Sequence, residues 1–219
     1  MAMQHNEPQE RISLEEFFAL LESDPEHRYE LIDGYPSMMT GGSPDHAIIG
    51  LNVASILRGL LRKRPCIAYN SDVYYLSDRL GEARTQSVAG RNKIEYIALD
   101  GEENCLCPDA SVSCDRRDHH ATKVIRYPCV VAEVLSPGTK VRDRGLKADL
   151  YQNMPSVQEI LFIDTQVMRV QLYRRETDYW TMRNFTQHDT IELTSLGIHF
   201  SVAEVYEKTT FDDSFTEEA

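Results

Sequence analysis

The sequence predicts one α/β domain, on three observations. Apolar residues make up 42% of the 219 positions, enough to fill a sizeable core. Residues 129–135, CVVAEVL, are apolar on both faces except for one carboxylate, the pattern of a central strand covered on both sides. Ile49, Val53, Ile56 and Leu60 recur at four- and three-residue steps, the stripe of a core helix. No internal repeat, low-complexity tract or long linker interrupts the chain. Residues 12–206 are therefore read as the domain, 1–11 as a flexible N-terminus and 207–219 as an acidic, frayed tail.

Taken in order, Ser13 and Glu16 have the capping-box spacing ahead of Leu14, Phe17, Phe18 and Leu21, predicting a helix over 14–22 that Asp24-Pro25 stops. Residues 29–32 and 35–40 flank Asp33-Gly34 and read as a hairpin in which Gly supplies positive φ. Ser43, Pro44 and Asp45 open a helix that should run to about residue 64, with Asn52, Ser55, Arg58 and Arg62 pointing away from its buried stripe. Strands are expected over 66–76, 93–99, 109–114 and 129–135, with a polar connection at 77–90. Leu146 and Leu150, four apart with Pro155 beyond, predict a helix over 143–153. Three further strands follow at 159–164, 167–174 and 179–185, and Val170 and Leu172 alternate with Arg169, Gln171 and Tyr173 as on a sheet with one solvated face.

Lys and Arg total 23 against 35 Asp and Glu, a net charge of −12. The whole molecule therefore repels nucleic acid and anionic membranes, and any phosphate-binding surface must be a local patch. Arg58, Arg62, Lys63 and Arg64 form one basic cluster and Lys140, Arg142 and Arg144 another, each either a solvated face or a place where a nucleic-acid backbone could rest. No apolar run is long enough to span a membrane. The opening MAMQHNEPQE lacks a signal-type stretch and the five Cys are an odd number, so reduced thiols and a cytoplasmic location are the expectation. Cys105-x-Cys107 with Cys114, His119 and His120 does not match the usual zinc-ligand spacing.

Two carboxylates do not belong where they stand. Glu133 in the middle of CVVAEVL costs several kcal/mol unless it is paired, hydrogen-bonded or bound to a metal. Strand alternation puts Val131, Glu133 and Leu135 on one face and Val130, Ala132 and Val134 on the other. Asp109 follows Pro108 at a strand mouth, and if its strand neighbours that of Glu133 the pair makes a hard oxygen site suited to Mg²⁺ or Mn²⁺. Lys147 and Tyr151 lie four apart on the following helix, where the lysine could point back over the sheet and orient a water attacking a phosphodiester.

YELIDG at 29–34, SPDH at 43–46, NSDV at 70–73, PDASV at 108–112, AEVLSPGT at 132–139 and RDRGLKADLY at 142–151 occur in the order of a known pattern. With them the chain resembles, over roughly residues 12–206, the putative restriction endonuclease family carrying the Uma designation, within the PD-(D/E)XK nuclease superfamily. The resemblance implies a restriction-endonuclease-like fold, a mixed central sheet flanked by helices, and commonly a homodimer. It also implies a metal-dependent endonuclease acting on DNA, with Asp109 and Glu133 as metal ligands. The superfamily lysine should fall two residues after Glu133, where this chain has Leu135; the family's lysine comes from the next helix instead, at Lys147. Glu30 matches the acid of the hairpin motif and is a candidate accessory acid.

Plainer readings stand beside these. Asp109 can be a turn residue at a strand start, Glu133 half of a buried ion pair with Lys147 itself, Lys147 a helix-surface partner of Asp143, and Glu30 a cross-strand hairpin residue. His46 reads as a solvated or capping residue and Asp72 as closing a strand edge, and neither enters the expected site. The rival function is a catalytically inactive binding or assembly module that keeps the nuclease fold, for which the displaced lysine and the −12 charge speak.

Overall fold

The computed structural model describes residues 10–39, 41–76, 84–88, 91–95, 104–136 and 143–212. Of the polar connection expected over 77–90, residues 84–88 form a strand instead and the rest lies outside the described residues, as do the part of the strand expected over 93–99 beyond residue 95, Lys140, Arg142 and the tail from 213 onward. The elements in order are α1 (Leu14–Ser23), β1 (Tyr29–Ile32), β2 (Tyr35–Met38), α2 (Pro44–Leu61), β3 (Ile67–Asn70), β4 (Tyr74–Leu76), β5 (Arg84–Val88) and β6 (Arg91–Glu95). Then come β7 (Cys105–Leu106), β8 (Ala110–Ser113), β9 (Val124–Ile125), β10 (Pro128–Leu135) and a π-helical turn (Asp143–Lys147) running into α3 (Ala148–Gln152). The chain closes with β11 (Glu159–Asp164), β12 (Arg169–Arg175), β13 (Trp180–Thr186), β14 (Thr190–Leu193), β15 (Ile198–Ser201) and α4 (Val202–Val205).

Packing groups the chain into two compact units, one of residues 1–40 and 76–106, the other of 41–75 and 107–219. In the first, Ser13 and Glu16 form the expected capping box and Asp24 ends α1. β1 and β2 make the expected hairpin, with Asp33 and Gly34 at φ 51° and 80°, the left-handed pair that a two-residue turn needs. β7 adds to the other edge of β1 through Leu31 and Cys105. β5 and β6 pair as a separate antiparallel ribbon.

The second unit is built on a six-stranded sheet ordered β13-β12-β11-β10-β8-β3. It is mixed, since β10 and β11 run parallel and the other neighbours antiparallel. This is the mixed sheet flanked by helices of a restriction-endonuclease-like fold. β10 is a central strand, as its two-sided apolar pattern predicts. Its Val130, Ala132 and Val134 pack into one core with Ile49, Val53, Leu57 and Leu61 of α2 and with the β14–β15 hairpin and α4. The buried stripe of α2 thus steps by four throughout; Leu60 is 42% exposed and Ile56 only half-buried, so the three-residue step expected from 53 to 56 gives way to a four-residue one and the stripe continues through 57 and 61. Asn52, expected to face outward, donates to the carbonyls of Val205 and Glu207.

Other departures from the sequence reading have local causes. The strand expected over 66–76 is two strands, because Asn70-Ser71-Asp72 turns the chain with Asn70 Nδ2 donating to Asp72 Oδ2 at 2.8 Å. The helix expected over 143–153 begins as the π-helical turn, a form that recurs at functional sites. Arg64, though exposed, is engaged rather than free, since its guanidinium donates to the carbonyls of Leu196 and Gly197. The expectation that all five thiols are reduced is corrected: Cys66 and Cys114 are joined by a disulfide, which also removes Cys114 from the cysteine-histidine set. No helix among the described residues is long and apolar enough to cross a membrane.

Candidate active site

Strand register places the two carboxylates at neighbouring backbone positions. The last step of the β8–β10 ladder pairs Ala132 with Ala110, and the next residues outward are Glu133 on β10 and Asp109 just ahead of β8. Asp109 closes the ladder with its side chain, Oδ2 accepting from the Val134 amide at 2.7 Å. The second turn of α2 passes over it, where a Cβ on Gly50 would sit 3.9 Å from Asp109 Cβ. One turn earlier, His46 Nε2 lies 3.7 Å from Asp109 Oδ2. The imidazole is held from behind: a Cβ on Gly42 would fall 2.5 Å from its Cγ, so only glycine lets the loop close on this ring position.

Glu133 faces the side of the sheet opposite the α2 core, as alternation along β10 requires. There the π-helical turn ends at Lys147, whose Nζ donates to Glu133 Oε1 at 3.1 Å. One helical step later Tyr151 donates to the same oxygen at 2.5 Å. The three residues are 4%, 6% and 0% exposed, so the carboxylate and the ammonium are both out of bulk water and each depends on the other. Leu135, at the position where a lysine was expected, is buried. Lys147 reaches Glu133 from the helix, and Tyr151 shares its face.

The surroundings add groups that periodicity could not single out. Asp164 stands at the end of β11 beside Leu135 in register, is 1% exposed, and is held by Arg169 at 2.9 Å and approached by Arg144 at 3.6 Å. Two residues along β8 from Asp109, Ser111 is hydrogen-bonded to Tyr75, whose hydroxyl burial pushes far above the usual phenol range. His46 and Asp164 were absent from the expected site; their only sequence signals were an SPDH helix start and an acid ending a strand. Asp72 bonds to its own turn. Glu30 belongs to the first unit, where it is 5% exposed on β1 opposite Ser37.

Asp109, just ahead of β8, and Glu133, on β10, offer hard oxygen donors, and the Lys147 ammonium beside Glu133 can offset negative charge there.

Comparison with known proteins places the chain in a family and matches its fold. The family model described as "Uma2: Putative restriction endonuclease" matches residues 14–203. A protein of Synechocystis sp., described as uncharacterised, is 33% identical over 200 residues, covering 91% of this chain and 93% of its own. A crystal structure described as a putative nuclease belonging to DUF820, from Anabaena variabilis, superposes with a TM-score of 0.63 at 18% identity, covering 89% of this chain and 97% of that one.

Proposed function

The chain belongs to the Uma2 family, described as putative restriction endonucleases, and on that premise we propose that it is a divalent-cation-dependent endonuclease hydrolysing DNA phosphodiester bonds. The observation that supports this reading most is Lys147 Nζ at 3.1 Å from Glu133, on the strand next to Asp109. Two carboxylates completed by carbonyls and water match the preference of Mg²⁺ and Mn²⁺, which keep several waters and need no all-protein cage. Among the described residues no three His, Cys, Asp or Glu side chains converge on one metal position.

Asp109 and Glu133 would hold the cation, which when bound supplies Lewis acidity and charge neutralisation at the scissile phosphate. Lys147 orients the attacking water and offsets charge that grows on the phosphate in the transition state. Tyr151 fixes the Glu133 carboxylate against rotation, so the lysine and the acid keep one geometry. A homodimer working in the cytoplasm completes the proposal.

The test is incubation of purified protein with supercoiled and single-stranded DNA and Mg²⁺ or Mn²⁺. Nicking or linearisation that Asp109→Ala and Glu133→Ala abolish is the expected result. Cleavage unchanged in both variants overturns the assignment. Cation binding with no cleavage and no DNA affinity across a salt series identifies a non-catalytic module instead.

A further inference from the structure

Three sulfur atoms meet at the end of the sheet away from Asp109. Cys66, just before β3, is bonded to Cys114, just after β8. On the other flank of β8, Cys129 sits in β10 where the register shifts between the Pro128–Ser113 and Val130–Val112 pairs. A bulge of this kind re-aims a side chain. Here the Cys129 Sγ lies 3.7 Å from Cys114 Sγ and donates to the Val112 carbonyl at 3.3 Å. Cys114 therefore has a sulfur neighbour on each side, one bonded and one in contact.

We propose that Cys129 and the Cys66–Cys114 bridge form an intramolecular thiol–disulfide relay, in which the bridge moves between the β3–β8 pair and the β8–β10 pair. In the forward step the Cys129 thiol gives its proton to solvent and the thiolate attacks Cys114 Sγ. The Cys114–Cys129 bond forms as the Cys66–Cys114 bond breaks, and Cys66 leaves as a thiolate that takes up a proton. One disulfide and one thiol stand on each side of the step, so no oxidant or reductant is consumed.

The two bridges fasten different parts of the fold. In the first, β3, the edge strand, is tied to β8 at the point where the chain arrives from α2. In the second, that tie is released and β3 keeps only its ladder, which runs from the Ile67–Ser113 pair to the Asn70–Ala110 pair beside Asp109. The strand whose anchoring changes thus leads directly to the candidate site. Burial, with a smaller contribution from Glu159 on β11, pushes the Cys129 thiol up to about 11, which makes its thiolate scarce and the exchange slow at neutral pH.

The protein, purified without reductant, is held natively in excess iodoacetamide at mildly alkaline pH, then denatured and mapped as peptides without reduction. The expected result is alkylated Cys66 accumulating together with a Cys114–Cys129 cross-linked peptide. That labelling of Cys66 is lost in Cys129→Ser and in Cys129→Ala, either of which serves if the other fails to fold. In Cys66→Ser treated with an oxidised dithiol, Cys114 and Cys129 become linked. The proposal is overturned by alkylation confined to Cys129 with the Cys66–Cys114 bridge intact, by Cys66 labelling that persists in the Cys129 variants, by all three thiols alkylated from the start, or by Cys66→Ser that forms no Cys114–Cys129 bond.

Discussion

Lys147→Met keeps the apolar stem of the lysine and removes the ammonium 3.1 Å from Glu133 Oε1. Glu133 stays 4% exposed, with its charge deprived of that partner. Breaking a buried pair from one side costs about 3–5 kcal/mol. The charge-assisted bond from Tyr151, worth about 1.5–3 kcal/mol, survives and places the expectation at the lower end, about 3 kcal/mol. With a urea m-value of about 2–3 kcal/mol/M, that is a fall of about 1 M in the unfolding midpoint. The measurement is urea unfolding in the presence of a chelator for wild type, Lys147→Met, Glu133→Gln and the double variant. Glu133→Gln removes the orphaned charge, so the double variant should recover most of what Lys147→Met loses, a coupling of about 2 kcal/mol. A midpoint shift below about 0.3 M, or additivity within about 0.5 kcal/mol, would refute the claim that the two charges depend on each other. Mn²⁺ should then stabilise Lys147→Met more than wild type, because a cation at Glu133 replaces the missing positive charge.

Asp109→Ala leaves the Val134 amide without its acceptor and should cost about 1–3 kcal/mol in urea unfolding, whereas Asp109→Asn should regain most of the stability but little of the cation affinity measured by calorimetry. Glu159→Ala removes a fully buried carboxylate that accepts from Arg174, Thr194 and Ser195, leaving the Arg174 guanidinium only its bond to the Glu192 carbonyl, so a loss of about 3 kcal/mol is expected and one under about 1 kcal/mol would contradict the network. Arg117 holds the Asp115 carboxyl at about 2, below its usual 3.8, so this pair's stabilisation is complete above pH 3.8 and is lost as pH falls toward 2. Acid unfolding curves of wild type and Arg117→Ala should therefore differ near neutrality and converge at the acid end. Cys66→Ser opens a loop closed over a separation of 48 residues and should lower stability by about 2–4 kcal/mol relative to the oxidised wild type when no oxidant has linked Cys114 to Cys129.

Much of this protein is local in origin and so can be read from the chain. The α1 capping box, the Asp33-Gly34 hairpin and the two-sided apolar strand around Glu133 each arise from neighbours a few residues apart, where helix and strand periods leave a direct imprint. The misplaced carboxylate in CVVAEVL announced a partner, and the four-residue step from Lys147 to Tyr151 named the face that supplies it. What the chain could not announce depends on elements far apart in sequence. The β14–β15 hairpin is built from TIEL and IHFS, too short for a periodic signal, and it is held by packing beneath α2. The approach of His46 to Asp109 spans two elements, as does the clasp of Asp164 by Arg169 and Arg144. The Cys66–Cys114–Cys129 cluster depends on which three strands stand side by side, and on a one-residue bulge that no spacing of cysteines encodes. Sequence by itself determined the local elements and the need for a charge partner, because those follow from backbone period and desolvation. Only the tertiary structure decided which partners met, because strand order and register are set by the burial of the whole sheet.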